Sequence, residues 1–272
     1  MTDPGFEVLS GGGGDPLPAE RPYGGRLEFP EQPRPYVIVN FVASIDGVAS
    51  LGVTDGTDST KLSGSSRADR YLMALLRASA DVILIGAGNL RATPGHQWTP
   101  SAVAGDQTAV IAGYREALHG SADPAPLVVV SASGDLPGHV ALDQPATRVA
   151  VLTSASGARR VRTAHPAAEV IEAGDGGLAD GASVVEAVRQ AFGPGLVLCE
   201  GGPSLFGSVL AARVVQELFL TVSPRISGRD HGQPRPGIVD AWAADPDHLR
   251  RATLTSVRRS EDHLFLRYRL EP

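Results

Sequence analysis

Residues Val197-Leu198-Cys199-Glu200-Gly201-Gly202-Pro203-Ser204-Leu205-Phe206 join a short apolar run, one acid and a glycine pair before a second apolar period opens at Leu205. Runs of this length and composition read as buried strands, so the stretch predicts a strand, a tight turn and a helix start. Adjacent glycines let backbone amides approach a ligand with no Cβ in the way, and N–H groups at a helix start carry partial positive charge that suits a phosphate. Glu200, Gly201, Gly202, Pro203, Ser204 and Leu205 are therefore candidate nucleotide-binding residues. A plain strand-to-helix turn without a ligand accounts for the same residues equally well.

Three further stretches could do related chemistry. Asp81 to Ile85 is a strand-like run that ends in Gly86-Ala87-Gly88, but Arg91 stands where the dinucleotide fingerprint needs Gly or Ala. The standard fingerprint fails there, leaving a backbone approach at Gly86 and Gly88 with Arg91 as a phosphate contact, or simple strand-to-helix packing. Gly174-Asp175-Gly176-Gly177-Leu178-Ala179 does satisfy the fingerprint. Its helix, however, is expected to start only near Ala182 or Ser183, so the glycines do not lead into a helix N-terminus and the stretch reads as a loop. Val39 to Gly47 is a strand running into Asp46-Gly47, where Asp46 either serves a ligand at the strand's carboxyl end or closes an Asx-turn. On local sequence the turn is favoured.

Other chemistries find little support. There is no Gly-x-Ser-x-Gly elbow and no Walker A pattern. The seven histidines lack the His-x-x-x-His pairing of a zinc helix, and the single cysteine, Cys199, lies inside an expected buried strand, so no metal site is expected. The formal net charge of -6 argues against a nucleic-acid footprint and against anionic membranes. A small molecule is the expected partner. One cysteine excludes an internal disulfide, and the start lacks a basic n-region and an apolar h-region, which points to a cytoplasmic protein. No apolar run approaches the roughly 20 residues of a membrane helix.

The elements that must position these residues alternate along the chain. Residues 1–35 carry Gly11 to Gly14 and seven prolines, a composition that predicts a flexible lead-in, packed over the fold if anywhere near Tyr23. Residues 36–272 read as one domain. Apolar runs at 37–42, 82–85, 127–130, 149–152, 170–171 and 196–199 predict strands buried on both faces. Helical periods are expected at 66–78, 158–163, 183–192 and 204–211. Alternation of this kind predicts an α/β sandwich with a mostly parallel sheet. Runs at 218–222, 253–257 and 264–269, without helices between them, predict an antiparallel carboxyl-terminal edge. Thr93 to Pro126 reads as a long loop with a strand fragment at Val110-Ile111.

Taken in order, VNFVASIDGVAS at 39–50, KLSG at 61–64, RASADVILIGAGNLRAT at 77–93, VLCEGGPSLFGSVL at 197–210 and ELFLTVSPRISG at 217–228 resemble the pyrimidine-reductase family of riboflavin biosynthesis, the reductase domain of RibD-type proteins. The likeness is closest to stand-alone members, since no zinc-deaminase signature occurs in this sequence. The resemblance implies a three-layer α/β/α, dihydrofolate reductase-like fold and NADPH as cofactor. It implies that the turns at Gly86, Ala87 and Gly88 and at Gly201 and Gly202 cradle a pyrophosphate. Ser131, Thr153 and Ser154 then lie near the adenosine half, and Asn40, Ala43, Ser44 and Asp46 border nicotinamide and substrate. The implied reaction is hydride delivery to the opened ribose of a phosphoribosylamino-pyrimidine, and the implied assembly is a homodimer.

Two departures bear on the substrate. Where riboflavin reductases typically carry Asp-Asp-Pro-x-Leu-Thr-x-Arg, this chain has Arg91-Ala92-Thr93-Pro94-Gly95-His96-Gln97-Trp98, and Asn40 stands where bacterial bifunctional enzymes often have lysine, although other reductases of the family resemble this chain in having asparagine. The cofactor half is thus better supported than the substrate half. A dihydrofolate reductase-like or other heterocycle reductase, and a non-catalytic NADP-binding module, stay open as alternatives.

Overall fold

The computed structural model describes residues 4–11, 13–31, 34–173, 180–230, 232 and 235–271. The strands are β1 (Glu7–Ser10), β2 (Tyr36–Ser44), β3 (Val82–Gly86), β4 (Leu127–Val130), β5 (Val149–Thr153), β6 (Glu169–Glu172), β7 (Leu196–Cys199), β8 (Glu217–Ser223), β9 (Ala252–Ser260) and β10 (His263–Leu270). The helices are α1 (Asp58–Ser63), α2 (Arg67–Ser79), α3 (Ala87–Ala92), α4 (Ser101–Ala104), α5 (Thr108–His119), α6 (Val140–Asp143), α7 (Ala155–Ala164), α8 (Gly181–Phe192) and α9 (Pro203–Ala211). Among the described residues no helix is long and apolar enough to cross a membrane.

All strands join one sheet in the order β1-β9-β10-β8-β2-β7-β3-β4-β5-β6. From β8 through β6 neighbours run parallel, and β8, β10, β9 and β1 pair antiparallel. The expected parallel sheet with an antiparallel edge is the one observed. Because successive strand side chains point to opposite faces, the continuous apolar runs split into two cores. Ile38, Ile83, Ile85, Val129 and Leu198 pack with Leu72, Leu75 and Leu76 of α2 and Ile111 of α5. Val37, Val39, Leu84, Val128 and Cys199 pack with Val184 and Val188 of α8 and Phe206 and Val209 of α9. Three layers follow.

Local signals start the helices that matter to the site. Ser66 caps α2 by accepting the Asp69 N–H at 3.3 Å, and Asp180 caps α8 by accepting the Ser183 N–H at 2.8 Å. Gly202 is the N-cap of α9 with Pro203 in its first turn, where a missing N–H costs nothing.

Two expectations are corrected. The segment before residue 36 is packed into the fold. Its β1 pairs with β9, and Ala19, Tyr23 and Leu27 are core residues. The fully buried Glu20 carboxylate accepts the N–H groups of Leu17 (2.7 Å) and Leu27 (2.9 Å) and the Tyr114 hydroxyl (2.9 Å). Arg258 lies over the Tyr23 ring, 3.7 Å from its centroid. Proline and glycine deny this stretch local structure, and distant partners supply order instead. The region from Thr93 to Pro126 is also not a loop with a strand fragment. It contains α4 and α5, in which Ile111, Tyr114 and Arg115 face inward at helical spacing, and a left-handed Gly120 ends α5. The fingerprint-like stretch Gly174–Ala179 lies outside the described residues.

Candidate functional site

Parallel strands bring their carboxyl ends to one edge of the sheet, the edge where open α/β folds bind ligands. The turns after β7 and β3, which are neighbours, therefore sit side by side. One side chain stitches them together. Asn89, in the first turn of α3, accepts the Gly86 N–H at 3.2 Å and the Gly202 N–H at 3.0 Å through Oδ1, and donates from Nδ2 to the Glu200 carbonyl at 3.0 Å. Sequence reasoning missed Asn89. Its signal was an amide three residues after a helix cap, the place from which a side chain reaches back to the cap N–H.

The glycines differ in what they are for. A Cβ on Gly201 would meet Leu205 Cδ2 at 2.5 Å, so Gly201 serves the packing of α9 against its own turn. A Cβ on Gly202 would come no closer than 3.9 Å to anything, and one on Gly88 would have nothing within 4 Å. Gly88 and Gly202 therefore leave open space in front of two helix starts whose leading N–H groups have no intrahelical acceptor. The donor set and the open cradle fit a pyrophosphate. Ala87 opens α3 beside them. Ser204 turns its hydroxyl toward the Asp240 carboxylate at 3.4 Å.

Glu200 contributes its backbone to this turn and its carboxylate to the protein interior. Arg77, 1% exposed, donates to it at 2.9 and 2.7 Å and to the Thr99 carbonyl at 3.1 Å. His96 stands 3.2 Å from the same guanidinium, and burial with the Arg77 charge pushes its pKa down to about 3. Trp98 is buried nearby. Residues 96–98 thus fold inward. Cys199 is fully buried and its thiol is pushed up to about 12 by desolvation, which leaves it inert.

Farther along the edge, Ser131, Thr153 and Ser154 come together at the ends of β4 and β5. Ser154 caps α7, accepting the Gly157 N–H at 3.2 Å while donating to the Ala132 carbonyl at 2.7 Å. Thr153 is fully buried and Ser131 nearly so. Arg91 is exposed and donates to the Asp135 carbonyl at 2.8 Å.

On the other side, β2 ends in Ala43 and Ser44, opposite Val222 and Ser223 of β8. Asn40 is half-buried farther back on the same strand. Asp46 accepts the Ser44 hydroxyl at 2.5 Å and the N–H groups of Ser227 (3.1 Å) and Gly228 (2.7 Å). The Ser44 hydroxyl first, then these backbone donors, hold its carboxyl down at about 2. Asp46 is therefore an ionised acceptor that ties the turn after β2 to the chain after β8. Arg229 reinforces the tie with bonds of 2.9 Å to the carbonyls of Asp46 and Gly47. Within the turn itself it is the Ser44 hydroxyl that accepts the Val48 N–H, at 3.0 Å, so the Asp46 carboxylate serves a long-range tie and not the Asx-turn that local sequence favoured.

A family model described as the RibD C-terminal domain matches residues 35–259. The chain belongs to the RibD C-terminal domain family. A pyrimidine reductase-like protein of Corynebacterium diphtheriae is 22% identical with a TM-score of 0.65, covering 88% of this chain and 92% of its own. The Saccharomyces cerevisiae riboflavin biosynthesis reductase is 16% identical with a TM-score of 0.56, covering 90% of this chain and 93% of its own. A Thermotoga maritima diaminohydroxyphosphoribosylaminopyrimidine deaminase/5-amino-6-(5-phosphoribosylamino)uracil reductase is 17% identical with a TM-score of 0.60, over 88% of this chain. This chain spans 57% of the Thermotoga protein. No curated protein sequence matches it. At these identities the likeness establishes the RibD C-terminal fold.

Proposed function

We propose that this RibD C-terminal domain is an NADPH-dependent oxidoreductase that reduces the opened ribose of a phosphoribosylamino-pyrimidine. The observation that carries the reading is the Asn89 stitch, which sets two glycine turns and two helix starts side by side at the carboxyl edge. The backbone N–H groups of Ala87, Gly88, Ser204 and Leu205 would hold the cofactor's pyrophosphate, with Gly86, Gly201, Gly202 and Pro203 shaping the turns that present them. Ser131, Thr153, Ser154 and Arg91 would flank its adenosine half. When bound, the reduced nicotinamide supplies a hydride.

The remaining work falls to the β2 side. Asn40, Ala43 and Ser44 would border nicotinamide and substrate, and Asp46 shapes that wall by fixing Ser227 and Gly228. An ionised Asp46 orients and does not donate a proton near neutral pH. The protein's contribution is then chiefly position.

The test follows nicotinamide absorbance with NADPH and either 5-amino-6-(5-phosphoribosylamino)uracil or dihydrofolate. Turnover of the pyrimidine supports the proposal. Turnover of dihydrofolate alone would reassign the substrate, and cofactor binding without any turnover would make the chain a binding module.

A further inference from the structure

A second pocket lies at the opposite end of α9 from the candidate active site. It holds about 270 Å³ between the carboxyl end of α9 and residues 242–250, and Leu210, Arg213, Trp242, Asp245, His248 and Arg250 line it. With nine residues at about 1.5 Å each, α9 separates it from the Gly202 turn by roughly 13 Å.

The pocket is short of an acceptor. Arg250 donates from Nη2 to the Glu271 carbonyl at 2.6 Å, but its Nη1 is buried without a hydrogen-bond partner. A buried donor left unmet costs about 1 to 3 kcal/mol, more when the group is charged. Arg213 brings a second guanidinium near enough to lower the proton affinity of Arg250, adding to the effect of burial. The carboxylates present are engaged by other groups: Asp245, on the pocket wall, accepts the Asp247 N–H at 2.9 Å and stands 3.7 Å from His248, and Glu271, whose charge also acts on Arg250, stands 3.8 Å from Arg251.

The backbone is strained on both walls. Arg213 (φ 58°) and Ala241 (φ 59°) hold the left-handed conformation, which glycine adopts without penalty and other residues do not. Arg213 follows the carboxyl end of α9, where glycine would be the ordinary choice. An arginine kept at such a position presents its side chain to the pocket at a cost in backbone energy. Trp242, half-exposed, adds a flat apolar wall.

We propose that this pocket binds a phosphomonoester carried on a planar ring, with Arg250 and Arg213 taking the phosphate and Trp242 the ring. A phosphate offers the acceptors that Arg250 lacks, and charge-assisted bonds of this kind are the strong ones. The ring contact favours an aromatic ester over the inorganic ion.

Inorganic phosphate and phenyl phosphate, titrated at constant ionic strength into the 272-residue chain, test this by calorimetry and by tryptophan emission. The expected result is saturable binding of one equivalent, tighter for phenyl phosphate. Arg250→Ala should weaken it at least tenfold, and Arg250→Lys, which keeps charge and much of the packing, several-fold. Trp242→Ala should abolish the preference for the ester. Arg213→Gly should weaken binding while raising the melting temperature, a pair of opposite effects that a purely structural role would not give. NADPH binding should be unchanged in Arg250→Lys. Binding that does not saturate, or that is equal in wild type and the Arg250 variants, would overturn the proposal.

Discussion

Asn89 Oδ1 lies 3.0 Å from the Gly202 nitrogen, across 113 residues of sequence. The same oxygen takes the Gly86 N–H, so one carboxamide fixes the spacing of the two glycine turns. Neither turn alone forms a cradle. Their pairing depends on β3 and β7 being neighbours and on this amide filling the gap between them.

Asn89→Ala removes that link and leaves two backbone N–H groups and the Glu200 carbonyl without their partner. With each unmet group costing about 1 to 3 kcal/mol where water cannot replace the bond, a net loss near 2 kcal/mol is expected in urea unfolding. NADPH affinity should fall about tenfold, or roughly 1.4 kcal/mol. Undiminished cofactor affinity in a folded variant would show that the stitch is not needed for binding.

Arg77 and Glu200 form a buried pair whose charges cannot be separated cheaply. Arg77→Ala should cost about 3 to 5 kcal/mol, because Glu200 is left as an uncompensated buried charge. Arg77→Met combined with Glu200→Leu should recover much of that loss. A double variant as unstable as Arg77→Ala would mean that the bond to Thr99 matters more than the charge.

The Asp46 carboxyl lies at about 2, below its ordinary 3.8. A lowered folded-state value means the contribution is fully present above the unfolded value and is lost as pH falls through the folded one. The tie between Asp46 and Gly228 should therefore be indifferent to pH near neutrality and fail only in acid, between about 4 and 2. Asp46→Asn presents an N–H₂ group where Gly228 or Ser227 needs an acceptor, so turnover should drop while NADPH binding persists. An unchanged rate would confine Asp46 to its turn.

How much was legible follows from where the information lies. The central strands and the helices at 67–79, 181–192 and 203–211 were readable because burial on two faces, or on one helical stripe, writes itself into neighbouring residues. The glycine turns were readable for the same reason. The helix Thr108–His119 was not: Gly113 interrupts it, and only Ile111, Tyr114 and Arg115 face inward. Nor was Glu20, whose partner Tyr114 lies far along the chain, although Tyr23 was the point at which packing was expected and it is buried there under Arg258. Asn89 was missed because its role depends on a turn formed more than a hundred residues later.

A preference for NADPH over NADH is expected from the cations at the adenosine end. Arg91 is exposed beside the β3 turn, and Arg159 and Arg160 are exposed in α7, just beyond Ser154. Titrations should give at least tenfold tighter binding of NADPH, and added salt should narrow the difference because exposed charges are screened. Equal affinities for the two cofactors would remove these arginines from the site.

The antiparallel edge bears on association. The amino-terminal segment is part of the fold, and its β1 pairs with β9 at Val257 to Arg259, which shortens the strand edge that would argue for a partner. What stays open is a sheet face. Leu264 of β10 and Leu254 of β9 point to the same side, 37% and 48% exposed, with the half-buried Leu266 between them and Leu220 beside it on β8. We propose a homodimer through this face, two-fold symmetry being the commonest arrangement for soluble oligomers. Light scattering at rising protein concentration should give the dimer mass, and Leu264→Lys should shift it to the monomer without unfolding, since the side chain is already partly in water. Deleting residues 1–30 should destabilise the fold itself, because it removes β1, Glu20 and Tyr23 together. A wild-type monomer mass at every concentration would rule the dimer out, and a stable truncated protein would show that the amino-terminal packing is dispensable.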